Sequence, residues 1–415
     1  MKILILNQTF YPDVVSSAQH ATDLARALTA NGHQTTIVCS RRSYDSPSIT
    51  FLPAETWQGV TIRRIGGTGF GKGSKTRRAL DFASFLVFCF VRMCTLGRFD
   101  CIVTLTSPPL ISFLGLLFAR ITSARLVLWM MDMNPDEAIA AGWLREHSFP
   151  ARVLSWCLAC SLRGAAQIVA LDRFMRERIV AKGISAERVS VVAPWIQSDA
   201  VRFDLHGRRQ FRERHGLADK FVVMYSGNHS PCHPLDSLLQ AAEQLRCEPD
   251  IAFCFVGGGS EYKKVEEFKQ RHELHNILCL PYQPLKHLSA SLSAADLHAV
   301  VMGDPFVGIV HPCKIYNVMA IGAPVLYIGP PESHITDLGV VDWLSTERHG
   351  DLDGTVRHIR NARDAGARRY ESACVQACEF SQERLIPLLS TVIVGREQLP
   401  TARKASAISS EAATS

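Results

Sequence analysis

A chain of 415 residues with 47% hydrophobic and 20% charged residues is long enough for two ordinary domains, and its globular composition excludes a disordered or fibrous protein. Its net charge of +6 tolerates anionic ligands or a membrane surface without demanding nucleic acid, and no RNA-binding signature or zinc-finger spacing occurs. The 13 cysteines lie mostly inside apolar runs and MKILILNQ has no signal-peptide pattern, so reduced thiols and a cytoplasmic location are expected.

In chain order, residues 2–7 (KILILN) read as a strand, 18–30 as a helix ending at Asn31-Gly32, and 34–40 (QTTIVCS) as a strand. This is a βαβ unit, which implies a parallel sheet with a right-handed crossover. A second unit follows, with strand CIVTLT, a helix start at Ser107-Pro108, an apolar helix over 111–121 and strand RLVLWMM. Cys157 and Cys160 form a CxxC inside a helical pattern with no second pair, which favours core packing over metal or redox work. Further strands are expected at 167–171 and 189–193.

After a polar stretch over 197–219, FVVMYSGN (221–228) opens a new alternation of strand and helix that continues to PVLYIGP. The expected organisation is a first α/β domain over 1–195, a linker over 196–219 and a second α/β domain over 220–380. A C-terminal helix over 381–398 is expected to return to the first domain, and a small polar tail over 399–415 to be disordered.

Ligands of such doubly wound sheets bind beyond the carboxyl ends of the strands. That edge selects residues 7–20, Ser107 and 132–136 in the first half. In the second half it selects 227–233, 257–259, Tyr282-Gln283, 303–314 and Gly329. Gly227 would let the backbone approach a bound group, and Asn228, His229 and His233 can hydrogen-bond to it. GxGxxG and GxxxxGK[ST] are both missing, so the common mononucleotide fingerprints do not apply.

HPCKIYNVMAIGAPV (311–325) reads as a helix start with Pro312 at the first helical position, yet it carries Lys314 in the first turn. The helix dipole disfavours a cation at that end. Either the long stem carries the ammonium to solvent, or a ligand anion shares the site with it. Together with the glycine clusters on the same sheet edge, a diphosphate is the better reading.

The pattern resembles the GT-B-fold retaining glycosyltransferases of family 4 (group 1), in the branch of bacterial polysaccharide and colanic-acid-type transferases. The resemblance rests on NQTFYPD with ATDLARALTANGHQTTIV, TLTSPPL, LVLWMMDMNPD, VAPW, VVMYSGN, FVGGGSE, LPYQPLKHL, SLSAADLHAVVM and HPCKIYNVMAIGAPVLYIGPPES, and it runs to about residue 395. It implies two Rossmann-like parallel-sheet domains facing an interdomain cleft, a nucleotide-sugar donor in the second domain and an acceptor in the first. Tyr282 and Gln283 then meet the base. Gly227, Asn228 and Lys314 serve the diphosphate, and Asp132 faces the transferred sugar. Asp13, Ser16, Ser17 and His20 belong to the loop approaching donor and acceptor, with Asp136 on the same side. Gly257, Gly258, Gly308, Pro312, Asn317 and His233 complete the donor-side expectation.

Asn228 and His233 stand where many relatives carry Arg and Lys, so diphosphate binding would lean on Lys314. The two glutamates spaced EX7E in relatives fall near Val307 and Asn317, and a His common before Asp132 is Met131. The mechanism this implies is metal-independent. Lys314 and the helix N-terminus at Pro312 stabilise the leaving nucleoside diphosphate, and Asp132 orients the sugar or shares charge at its anomeric carbon. No cofactor beyond the donor substrate is expected.

Residues 63–78 carry six basic residues and no acidic one, and an apolar run over 82–91 follows. A helix of that length spans about half of the hydrocarbon core and does not cross it. Two readings stand: an interfacial element docking over 63–91 on the inner face of the cell membrane, near a lipid-linked saccharide acceptor, or a buried helix behind a solvated basic loop. A nucleotide-sugar epimerase or hydrolase of the same fold, and a catalytically degenerate nucleotide-binding scaffold, are the competing functions.

Overall fold

The structure is a computed structural model that describes residues 1–44, 48–70, 75–196 and 201–395. The first half contains β1 (Lys2–Leu6), α1 (Ser16–Ala30), β2 (Gln34–Ser40), β3 (Ala54–Trp57), β4 (Val60–Ile65) and α2 (Lys75–Cys94). It continues through β5 (Cys101–Thr104), α3 (Ile111–Thr122), β6 (Arg125–Trp129), α4 (Asp136–Ala140), α5 (Phe149–Gly164), β7 (Gln167–Ala170), α6 (Arg173–Ala181) and β8 (Val189–Val191). Its strands order as β3-β4-β2-β1-β5-β6-β7-β8, parallel except for the β3–β4 pair. Strands buried on both faces in such a sheet read as continuous apolar runs, which is why KILIL and CIVT were legible.

The second half contains α7 (Leu205–Arg214), β9 (Phe221–Asn228), α8 (Asp236–Gln244), β10 (Ile251–Gly258), α9 (Tyr262–Arg271), β11 (Ile277–Leu280) and α10 (Leu288–Ser293). Then follow β12 (Leu297–Val301), α11 (Lys314–Ala320), β13 (Val325–Ile328), β14 (Leu344–Glu347), α12 (Leu352–Asp364), α13 (Glu371–Ala377) and α14 (Gln382–Val394). The second sheet is wholly parallel, in the order β11-β10-β9-β12-β13-β14. Two Rossmann-like sheets are thus present. α14 packs against α1, β5 and β7 of the first, and Arg125 donates to the carbonyls of Val392 and Ile393 at its end.

Four expectations need correction. Residues 205–214 are α7, not linker: Arg208 and Arg212 both pair with buried Asp296, whose Oδ2 also accepts from the Val222 amide at 2.8 Å. Ser107-Pro108 does not start α3, because Leu110, at φ 74°, intervenes as a left-handed turn residue. Pro312 precedes α11, which begins at Lys314. The basic run over 63–78 is not one solvated loop either. Arg63 and Arg64 belong to β4, and Arg64 turns inward to Glu55 at 2.5 Å and to the Tyr11 carbonyl at 2.7 Å. Residues 71–74 and 396–415, including the tail read as disordered, lie outside the described residues.

Candidate functional site

The carboxyl ends of β9 and β10 meet in a pair of glycines. Gly227 and Gly257 are register partners with φ of 137° and 140°, and a Cβ on Gly257 would lie 2.0 Å from the Gly227 carbonyl oxygen. Only glycine allows this approach. A Cβ on Gly227 would lie 3.2 Å from Lys314 Nζ, so the lysine ends directly over the glycine turn.

Lys314 does not carry its ammonium to solvent. Its Nζ is buried without a hydrogen-bond partner and sits 3.7 Å from the centre of the Tyr225 ring. Burial pushes its pKa down to about 7. An unpaired buried amine is costly, and a cation–π contact offsets only part of that cost. Tyr225 was not anticipated. Its ring carries the lysine, and its hydroxyl donates to the Asn228 carbonyl at 2.7 Å.

Two histidines flank the lysine. His229 faces the Gly227 carbonyl through Nδ1 at 3.0 Å, and its Nε2 is buried without a partner. Burial and the Lys314 charge hold it down at about 4. His233 faces the Val301 carbonyl through Nδ1 at 2.8 Å, and the same two causes hold it near 3. Both rings are therefore neutral donors to backbone. Neither supplies the standing positive charge that a lysine or arginine would.

Tyr282 is exposed and donates to the Gly258 carbonyl at 3.1 Å, while Gln283 donates to Pro281 at 2.9 Å. Asn228 is exposed at the end of β9. Asn317 lies one turn after Lys314, and its Oδ1 is buried without a partner. Pro312 is buried in the turn before α11. Gly308 is held tightly by the first half. A Cβ there would lie 2.6–2.9 Å from the backbone of Phe174 and Met175, so only glycine lets this turn sit against α6.

On the first sheet, Asp132 follows β6, and burial, then the nearby Glu137, push its pKa well above the usual carboxylate range. Both causes favour its protonated form in the ligand-free protein. Glu137, not anticipated, accepts from Asn134 at 3.2 Å and from the Cys232 thiol at 3.9 Å across the cleft. Ser16 bridges as well, its Oγ lying 3.5 Å from Cys313 Sγ, next to Lys314.

The other acceptor-side residues are largely occupied. Asp13 accepts from Ser43 Oγ at 2.8 Å and from the Tyr44 amide. Ser17 contacts Thr9 Oγ1 at 3.1 Å, and Asp136 pairs with Lys182 at 2.7 Å. His20 is fully buried against Trp195, with both ring nitrogens facing the carbonyls of Ser16 and Trp195, and burial lowers its pKa. It is a core histidine, not a group facing an acceptor.

Comparison with known proteins then decides the family. The Glycosyl transferase 4-like domain family matches residues 17–195, and the Glycosyl transferases group 1 family matches residues 207–329. The chain belongs to the group 1 glycosyltransferases. This glycosyltransferase is 26% identical over 341 residues to WcaI of Escherichia coli (strain K12), whose name assigns it provisionally to glycosyl transfer in colanic acid biosynthesis. The match covers 78% of this chain and 82% of that protein. Among solved structures, Anabaena HepE in complex with UDP-glucose superposes with a TM-score of 0.70 at 15% identity, covering 95% of this chain and 99% of that one. Sucrose-phosphate synthase from Thermosynechococcus elongatus superposes with a TM-score of 0.73 at 13% identity, covering 94% and 98%. These likenesses establish the GT-B fold of the glycosyltransferase.

Proposed function

We propose that this glycosyltransferase moves a sugar from a nucleotide-sugar to a saccharide acceptor in cell-surface polysaccharide biosynthesis, with retention and without a metal. The observation that carries the donor site is the buried, unpartnered Lys314 Nζ over Gly227. A folded protein keeps such an amine where a ligand anion completes it, and a nucleoside diphosphate supplies two phosphoryl groups of the right charge. The unpartnered Nε2 of His229 lies beside the same lysine and can donate to phosphate once protonated. Tyr282 and Gln283, at the edge of the same sheet, suit the base. Lys314 then stabilises the charge that develops as the sugar–phosphate bond breaks. Asp132, in the loop after β6, orients the transferred sugar, and its burial favours the protonated form that can donate a hydrogen bond to it.

A lipid-linked acceptor and a docking face at the inner membrane surface draw support from the first half. α2, α3 and α5 lie side by side, and Val87, Phe88, Val91, Ile121 and Trp156 project from them exposed. Among the described residues of α2, Phe85, Cys89 and Met93 form the buried stripe, and Val87, Phe88, Phe90 and Val91 lie outside it, exposed. Among the described residues no helix is long and apolar enough to cross a membrane. A cavity of about 80 Å³, lined largely by Pro109, Leu110, Pro135, Leu154 and Leu158, lies between this face and the loop after Asp132.

The test is thermal stability of the purified protein with UDP, GDP, TDP, CMP and ADP, repeated with Lys314→Ala. Ligand at 100 times its dissociation constant adds about 2.7 kcal/mol, so one nucleotide should raise Tm in the wild type and fail to do so in the variant. A nucleotide that stabilises both proteins equally would refute the assignment of Lys314. No stabilisation by any of them would favour a degenerate scaffold.

A further inference from the structure

The turn that presents Lys314 is gripped from the other half of the molecule. Asp172 caps α6, accepting from the Met175 amide through Oδ1 at 2.7 Å. Its other oxygen, Oδ2, accepts from His311 Nδ1 at 2.7 Å, three residues before Lys314. His311 Nε2 in turn accepts from the Tyr316 hydroxyl at 2.7 Å, two residues after Lys314. Asp172 and His311 are both buried. One carboxylate therefore spans the interface and fixes the chain on both sides of the lysine.

The rest of α6 reinforces this grip. Arg178 Nε donates to the Val307 carbonyl at 2.6 Å, and Gly308 packs on the backbone of Phe174 and Met175. Arg173 binds Asp337 through two nitrogens, at 2.7 and 3.0 Å. The Met133 amide, next to Asp132, donates to the Ile309 carbonyl at 2.9 Å. The segment from Val307 to Lys314 is thus seated on the first half, although the glycine turn and Tyr225 that meet the lysine belong to the second.

A metal ion is the obvious alternative for Asp172, His311 and His334, whose ligand atoms all lie within 4.8 Å of one another. The ring geometry argues against it. His311 and His334 are stacked with centroids 3.8 Å apart, whereas two imidazoles on one tetrahedral ion splay to about 5 Å between ring centres. His311 Nδ1 is also already engaged by Asp172.

We propose that Asp172 is a positioning residue: acting through His311, it holds Lys314 over the glycine turn, so that the donor-phosphate cation of one half is set by contact with the other. The inference rests on reading Lys314 as the diphosphate ligand. It makes donor affinity depend on the interface as well as on the phosphate pocket itself.

Asp172→Ser separates the two duties of the residue, because serine caps a helix as well as aspartate but is too short to reach His311. Two readouts are needed. The first is the rate at which Lys314 is reductively methylated without ligand, followed by peptide mass spectrometry. It should rise at least tenfold in Asp172→Ser. The second is the dissociation constant for whichever of UDP, GDP, TDP, CMP and ADP the wild type binds. It should weaken at least tenfold in Asp172→Ser, and the same substitution should add nothing in a Lys314→Met background. Such non-additivity marks action through Lys314 and is not produced by general destabilisation. Unchanged methylation, or losses that simply add, would overturn the proposal. If the wild type binds no nucleotide, the donor reading fails, and the methylation arm still decides whether Asp172 holds the lysine. If Asp172→Ser does not fold, His311→Gln keeps an amide nitrogen toward Tyr316 while cutting the bond to Asp172, and the same labelling reads it.

Discussion

Lys314 is where sequence and chemistry meet most sharply. In the unfolded chain its amine holds a proton to a pKa near 10.4, and in the folded protein only to about 7. Between these values the unfolded state binds more protons, so this group makes the ligand-free protein more stable as pH rises through that window. Lys314→Met should remove that rise and increase Tm at pH 6 by about 2–4 °C, as expected when an unpaired buried charge is deleted. Nucleotide binding should show the opposite dependence. A diphosphate favours the ammonium, so above pH 7 binding must take up a proton, and affinity should fall by up to about tenfold per pH unit. Titration calorimetry in two buffers of different ionisation enthalpy measures the uptake. Binding at pH 8 with none would mean that the phosphates do not meet this lysine.

At the scale of elements, α2 shows how one sequence run can carry two faces. Its buried residues recur at positions 85, 89 and 93, every fourth residue, which places them on one stripe of a helix. Val87, Phe88, Phe90 and Val91 fall outside that stripe and are exposed, beside the exposed residues of α3 and α5. An exposed apolar face of three helices exceeds the scattered surface hydrophobics of ordinary soluble domains. The prediction is that the protein sediments with vesicles containing anionic lipid and that Phe88→Asp with Val91→Asp reduces this at least fivefold while leaving nucleotide affinity unchanged. Equal sedimentation of wild type and variant would locate membrane contact elsewhere or nowhere. Sequence alone could not separate the faces, because an apolar run with Phe at 82, 85, 88 and 90 looks apolar all round until the neighbouring sheet selects a side.

For the whole molecule, α14 is the clearest sign that the two halves are not built as beads on a string. It follows every element of the second sheet, yet Leu385, Leu389 and Ile393 lie in the core cluster that holds β1, β5 and β7. Leu389→Ala should therefore cost about 2–5 kcal/mol. Limited proteolysis should show the loss as new cleavage within residues 1–196, with the second sheet left protected. Cleavage confined to residues 205–364 would mean that α14 supports the second half instead. The same cluster runs through Phe306, Ile309 and Ile315, which gives the interface near Lys314 an apolar backing as well as its ion pairs.

The alternation of elements, the strand positions and the carboxyl-edge loops were legible because a buried parallel strand must be a short apolar run and its loop must be polar. Thus β2 and β9 fall on the residues expected from pattern alone. Gly227 and Lys314 were legible too, since a strand followed by glycine and a cation at the start of a helix are local anomalies. Asp172 was open to the same edge rule, because it follows β7, but nothing in sequence tells a helix cap from a carboxylate shared with a histidine 139 residues away. Tertiary structure alone decided that His20 is core, that Gly308 seats a backbone and that Arg64 turns inward. Each of those outcomes depends on which distant group occupies the space beside the residue. A hydrophobic pattern records how much surface an element must bury, but not which neighbour covers it.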